Sequence, residues 1–220
     1  MSGRGTGPSA GERAYAHIRE AILGGELAVG TMLSENELAA TLAMSRTPVR
    51  AALVRLQEEG WVTIYAQRGA LVNGLSAREV QQSAEVRHAL ETAGVSRSTA
   101  PARQEIESRQ RENLDEQERA LDAGDVPAFA RLALRFHRTF VALADNDLML
   151  AMYDRLQDRQ LLSINQSAGR IAGEPQQVLA EHRGLLDAAL AGDSARFADL
   201  LERHQARSHG FEGGSPAAAY

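Results

Sequence analysis

Two sets of residues in this chain have the types and spacing to do chemistry. Arg46, Thr47 and Arg50 follow Ser45 at the start of an apolar-periodic segment. An arginine fork can hydrogen-bond guanine O6 and N7 together, while a threonine hydroxyl reaches a phosphate or its methyl meets thymine. That is the chemistry of reading a duplex in the major groove. The second set is His137, His182 and His204, which fall on three separate predicted helices. Helical spacing puts His137 on a face with Phe129, Ala133, Phe136 and Phe140, His182 with Val178, Leu179, Leu185 and Leu186, and His204 with Phe197, Leu200 and Leu201. A single histidine on an apolar face is more often a satisfied core residue than a ligand. Three that point inward together would suit a divalent ion such as Zn or Ni, with positions open for water or a ligand oxygen.

The first set needs two short helices and a turn to present it. Ser34 and Glu37 have capping-box spacing ahead of a helix over 35–42, with Leu38, Ala39 and Leu42 on one face. Ala43-Met44-Ser45 makes the turn. Thr47 is then the expected N-cap and Pro48 the first helical residue of a second helix, which buries Val49, Ala52, Leu53 and Leu56 and stops at Gly60. Its exposed N-terminal end carries the arginines into the groove. Trp61 to Tyr65 and Ala70 to Val72 read as two strands joined by Gln67-Arg68-Gly69, a wing whose Arg68 reaches a phosphate or the minor groove. Any one of these pieces is common in proteins that never touch DNA; their conjunction is what favours DNA reading.

The second set needs a bundle. After Asn73-Gly74 the pattern is helical throughout, with helices expected over 76–98, 102–122, 126–144, 147–167, 175–191 and 194–210. Pro101, Pro127 and Pro175 stand near starts, and Gly124, Gly173 and Gly192 in breaks. The expected fold is mainly α: a winged helix-turn-helix domain over 11–74, then an all-α six-helix antiparallel bundle over 75–210. Residues 1–10 and 211–220 read as flexible tails.

Particular residues carry a resemblance. Ile18, Ile22, Gly25, Leu27, Gly30, the S-E-x-E-L-A of Ser34 to Ala39, the S-R-T-P-V-R of Ser45 to Arg50, L-x-x-E-G-W and R-G resemble the winged-helix domain of GntR-type bacterial repressors. The bundle resembles the FCD effector domain of the FadR branch, through V-R-x-x-L-E at Val86 to Glu91, R-F-H at Arg135 to His137, Ala144-Asp145-Asn146, Glu181-His182, A-L-x-x-G-D at Ala189 to Asp193, and His204. The resemblance implies DNA contacts from Ser45, Arg46, Thr47, Arg50, Arg68 and Gly69. It also implies a dimer on a palindromic operator with half-sites about one helical turn apart. Many relatives carry Arg where this chain has Asn36 and Glu where it has Ala51, so base preferences there are its own.

In metal-binding relatives an Asp one turn before the first His completes a three-His-one-Asp site. Here that position is Ala133, which implies weaker metal affinity or a fourth position filled by water or effector. Arg87 matches an arginine that lines the effector pocket, where its fork would grip a carboxylate. Its plainer alternative is a salt bridge to Glu91, one turn on. Arg135 and Asn165 are further candidates to face the effector. His17, His88 and His209 are assigned surface or structural places.

Composition narrows the classes. The chain has 220 residues, 44% of them hydrophobic and 24% charged, which fits a globular protein. No apolar run approaches the roughly 18 residues of a membrane span and the N-terminus has no signal-peptide core, so the protein is expected in the cytoplasm, associated with the nucleoid. All 24 basic residues are arginine and cysteine is absent, which removes Schiff-base and P-loop lysines, thiol nucleophiles and thiolate metal sites. The net charge of −5 comes from the bundle, since residues 1–74 hold seven Arg against seven Glu. A neutral DNA-reading domain implies modest non-specific affinity, so tight binding rests on two heads and specific contacts.

The expected function is a ligand-responsive repressor, not an enzyme, whose bundle binds a small carboxylate with a metal beside it. Two alternatives stand: a sensor in which the ion is the signal, and a three-His hydrolase with Glu181 as base.

Overall fold

The computed structural model describes residues 7–210, which divide into two compact units at the Gly74–Leu75 junction. The tail assignments to 1–6 and 211–220 fall outside the described residues. Residues 7–10 belong to an ordered start instead: Ser9 and Glu12 form a reciprocal capping box, so α1 (Ala10–Leu23) begins at once.

The first unit continues with β1 (Met32–Leu33), α2 (Glu35–Thr41), α3 (Arg46–Glu58), β2 (Val62–Tyr65) and β3 (Gly69–Val72). Helix α1 packs on α3, and Ile18 and Ile22 of α1 are buried, as are Val49, Ala52, Leu53 and Leu56 of α3. Helix α2 ends in a Schellman turn: Met44 N–H reaches Ala39 O, Ala43 N–H reaches Ala40 O, and Ala43 takes a left-handed φ of 50°. The next helix starts earlier than the threonine and proline signal. Ser45 is the N-cap of α3 without a side-chain cap bond, so Arg46, Thr47 and Pro48 are its first three residues. Proline is tolerated there because the first-turn N–H groups have no intrahelical acceptor in any case. Likewise Ser34 Oγ accepts from Glu37 N–H at 3.4 Å, which supplies one half of the expected box.

The wing pairs β2 with β3 antiparallel, and β1, too short to announce itself by alternation, adds to the other edge in the order β1-β3-β2. Gly69 fixes that edge. Its φ is 112°, and a Cβ there would lie 2.2 Å from Leu33 O, so a side chain would separate β3 from β1.

The second unit holds α4 (Ala77–Arg97), α5 (Ala100–Asp122), α6 (Val126–Ala142), α7 (Asp147–Asp154), α8 (Gln157–Gln166), α9 (Ala168–Gly173), α10 (Pro175–Ala191) and α11 (Ser194–His209). Side chains of Ser76, Thr99, Asp125, Asn146 and Asp193 cap five of them. The six-helix expectation is thus corrected to eight helices among the described residues. The expected 147–167 helix breaks at Arg155-Leu156, where Leu156 N–H bonds Tyr153 O in a tighter turn. Beside the break Asp154 accepts from Arg138 Nε at 2.6 Å and from Gln157 Nε2 at 3.0 Å, a tertiary anchor that periodicity does not register. Helix α9 forms in an expected loop, anchored by buried Ile171. Phe136, Phe140 and Phe197 stack edge to face through the middle of the bundle, with ring centroids 4.9 Å apart in each pair.

Candidate functional site

The apolar stripes of α6, α10 and α11 carry His137, His182 and His204 to one place. Their ring centroids are 4.8–5.3 Å apart, and one ligand nitrogen from each lies within 4.8 Å of the others. All three side chains are buried. Each Nδ1 has its own acceptor: Glu91 Oε2 at 2.8 Å from His137, Gln117 Oε1 at 2.6 Å from His182, and Glu181 Oε2 at 2.8 Å from His204. The acceptors fix Nδ1 as the protonated nitrogen and leave Nε2 to present its lone pair.

For His182 the tautomer is set by a chain of amides. Asn113 Nδ2 donates to Leu132 O, Gln117 Nε2 donates to Asn113 Oδ1, and Gln117 Oε1 is thereby turned to His182. Burial, with Arg87 and the neighbouring imidazoles adding to it, holds His137 and His182 well below the usual histidine range. They are neutral at pH 7, the form that binds metal. Three converging imidazoles, each with its Nδ1 engaged by an acceptor, fit a borderline divalent ion.

Arg87 is buried beside the histidines. Its Nε donates to buried Glu91 Oε1 at 2.8 Å, which makes the one-turn salt bridge, and the residue also lines the cavity at the histidines. Its Nη2 is buried with no acceptor. The cavity is about 30 Å³, bounded by the three histidines with Ala133, Arg87 and His209 among others. By that measure it holds about two waters, or an ion with its water. Ala133 presents only a methyl, and the potential ligand group among the described residues is the three histidines alone.

Three assignments change. Arg135 is exposed and lies outside the cavity wall, because two residues turn an α-helix about 200° and put it opposite His137. Asn165 is half-buried and not in the wall either, although Ile164 and Ser167 on either side of it are. His209, by contrast, lines the cavity, with Nδ1 3.1 Å from Ser163 Oγ and its pKa pushed down by burial to about 3. Glu181 is held behind His204 by that ring, by Gln177 and by Arg207, so it is not a base facing the cavity. The residues that sequence reasoning passed over are Gln117 and the His137-orienting role of Glu91. Gln117 gave one signal, since it continues the buried stripe Ile106, Gln110 and Leu114 of α5.

These buried imidazoles make stability depend on pH. A histidine whose folded pKa is depressed leaves the unfolded chain binding more protons below about pH 6.5, so stability falls as pH falls, by about 1.4 kcal/mol per unit for each such group. His137, His182 and His209 all act in this sense, and Glu91, whose carboxyl is raised by burial, acts in the other. Three groups outweigh one. In EDTA, the urea midpoint of the protein is expected to drop between pH 7.5 and 5.5; a midpoint that stays level or rises contradicts the preset neutral tautomers.

On the other unit, Ser45, Arg46, Thr47 and Arg50 are all exposed at the N-terminal end of α3, and Arg68 is exposed at the wing tip. Arg46 and Arg50 are both paired with Glu35. Gly69 offers no side chain and serves to hold the wing strand that begins just after Arg68.

A winged helix-turn-helix unit followed by an all-helical bundle with a cavity at three histidines and an arginine is the build of a transcriptional regulator. Residues 10–72 match the gntR family of bacterial regulatory proteins and residues 82–207 match the FCD domain. The chain belongs to the GntR family of transcriptional regulators and carries an FCD effector-binding domain. It is 39% identical over 134 residues to an HTH-type transcriptional regulator of the TAR-I ttuE-ttuC' intergenic region of Agrobacterium vitis, covering 60% of this chain and 78% of that one. It is 35% identical over 138 residues to the HTH-type transcriptional repressor RspR of Escherichia coli K12, covering 62% and 60%. Among solved structures it is similar to a GntR regulator from Rhodococcus sp. RHA1, with a TM-score of 0.71 at 25% identity over 92% of this chain and 99% of that one. Escherichia coli McbR/YncC shares the fold at a TM-score of 0.67 and 20% identity, over 93% and 97%. The family, and the Agrobacterium vitis, RspR and Rhodococcus relatives, are transcriptional regulators, not enzymes, which overturns the hydrolase alternative. No described helix is long and apolar enough to cross a membrane.

Proposed function

We propose that the chain is a dimeric repressor that reads a palindromic operator with α3 and the wing and is controlled by a small organic acid in the bundle. Arg46 and Arg50 meet base edges, Ser45 and Thr47 meet phosphates, and Arg68 reaches the backbone or minor groove at the flank. The effector carboxylate pairs with Arg87. A divalent ion, Zn or Ni, is held by His137, His182 and His204, and when bound it supplies a Lewis-acidic contact for an effector oxygen. As a DNA-bound regulator it works in the cytoplasm, at the nucleoid.

The observation that carries this reading is the Arg87 fork, which lines a cavity beside three tautomer-fixed imidazoles while its Nη2 is buried without an acceptor. An unmet buried donor on a cation costs more than an ordinary hydrogen bond returns, so it marks a place for an anion. A thermal-shift screen of organic acids, with and without Zn or Ni, tests it: a ligand of the native state raises the apparent melting temperature. No acid stabilising the wild type more than an Arg87→Met variant would end the proposal. Such a ligand must also couple to DNA, since an effector that releases the operator binds more weakly to the DNA-bound form.

A second reading has its own observation. The cavity of about 30 Å³ accommodates an ion and water without rearrangement, which suits a metal sensor. Metal titration alone would then alter operator affinity, whereas the acid-responsive form needs the metabolite as well and must widen the wall formed by Ile164, Ser167 and Ile171.

For the DNA surface, Arg50→Ala is expected to weaken binding to an operator selected from random duplexes by roughly 10- to 100-fold, as for loss of one bidentate base contact. The fold should be unaffected, since the side chain is 61% exposed. An unchanged gel-shift affinity removes Arg50 from the reading role.

A further inference from the structure

Glu35, the first residue of α2, faces the start of α3, and both exposed arginines share its carboxylate. Arg50 donates to it from Nε at 3.0 Å and from Nη2 at 2.8 Å, and Arg46 from Nη2 at 3.3 Å. The acid is the shielded member: its side chain is 20% exposed, against 59% for Arg46 and 61% for Arg50. Its carboxyl is held below the usual range, first by the hydrogen bond from Arg50, so it is charged at neutral pH.

A guanidinium has five N–H groups in a planar fork and can engage two partners on different edges. Arg50 uses its Nε/Nη2 edge for Glu35. Nη1 makes no contact with the carboxylate, which leaves the Nη1/Nη2 edge of the fork for a second partner. Exposed ion pairs contribute little to folding stability, so stability does not account for this arrangement. A carboxylate beside a DNA-reading helix also repels phosphates, which lowers general attraction to any duplex.

We infer that Glu35 is a positioning residue for DNA reading: it aims the free end of Arg50 at a guanine and keeps Arg46 from pairing indiscriminately with phosphate. It exchanges general affinity for sequence discrimination. The inference rests on the reading of Arg46 and Arg50 as DNA-facing.

The test compares two probes, a duplex selected by the wild-type chain from random-sequence DNA and the unselected pool. For Glu35→Gln, binding to the pool is expected to be equal or tighter, with a log-log salt slope steeper by roughly one phosphate contact, while the ratio of selected to pool affinity falls about tenfold. Glu35→Asp keeps the charge with a shorter reach, and is expected to lose the ratio without gaining on the pool. A merely structural role at the head of α2 would weaken both probes together and lower the melting temperature. That outcome, or an unchanged ratio, overturns the inference. Arg50→Ala measured alongside separates the two ideas: if it too leaves the ratio intact, α3 is not the reader, and if it lowers the ratio while Glu35→Gln does not, the Glu35 role alone fails.

Discussion

Gly94→Ala is expected to destabilise the helical unit by about 3 kcal/mol or more, beyond the usual range for adding one methyl to a core. The reason is the near contact of α4 with α6. A Cβ on Gly94 would sit 2.0 Å from Phe140 O, 2.8 Å from Phe140 C and 2.9 Å from Val141 Cα, all backbone atoms with no rotamer to yield. Helix propensity acts in the opposite direction, since alanine is better than glycine inside a helix by about 1 kcal/mol. The clash is larger. For a unit of this size each kcal/mol moves the melting temperature by about 2–4 °C, so a drop near 10 °C is expected. Gly184→Ala is the matched control: its Cβ would meet Leu200 Cδ1 at 3.8 Å, an ordinary contact, and it should be neutral or stabilising. Two variants that melt together would contradict the close packing. Function follows from the same contact, because α4 carries Arg87 and Glu91 and α6 carries His137. Separating the helices lengthens the 2.8 Å bond from His137 to Glu91 and releases the imidazole's orientation.

What the sequence displays is what local rules govern. The buried stripe of α3 and the inward phase of His137, His182 and His204 follow from 3.6-residue periodicity, and the structure has both. Where a position depends on another segment, periodicity misleads. His209 is five residues from His204, about 140° round the helix, and looks outward on a wheel; near the helix end it lies over the cavity all the same. Arg135 invites attention by its closeness in sequence to His137, although a separation of two residues means opposite sides of a helix. The break at Arg155-Leu156 reflects a pair between Arg138 and Asp154 on different helices. Glu35 reads as an ordinary first-turn acid, favourable at a helix N-terminus, until α3 is folded against it. Polar residues on buried stripes were the legible clue left unused, and both Gln117 and Glu91 are of that kind.

His182→Ala is expected to abolish metal retention, the largest change foreseen for the bundle. The wild-type chain, expressed without a histidine tag, loaded with Zn or Ni and dialysed, should keep about one ion per chain, and the variant none by elemental analysis. Two imidazoles remain after the substitution, and a closed structural site takes four ligands while an open one takes three. The three-ligand set is thus already at its minimum, because Ala133 adds no donor. The same logic orders further variants. Gln117→Leu leaves the imidazole in place but removes the acceptor that fixes its Nδ1 proton, and loss of such a partner lowers affinity by about 10- to 100-fold. Ala133→Asp places a carboxylate in the wall one turn before His137, and is expected to tighten binding through both charge and ligand number. His182→Ala also removes a ring stacked on Phe136 at 4.9 Å, so circular dichroism must show it folded before its metal content counts. Wild-type protein that leaves dialysis without metal would remove the ion from the mechanism and leave Arg87 to recognise the effector alone. If the ion is retained and Gln117→Leu binds it as tightly as wild type, the amide chain from Leu132 through Asn113 is structural support and not part of the site.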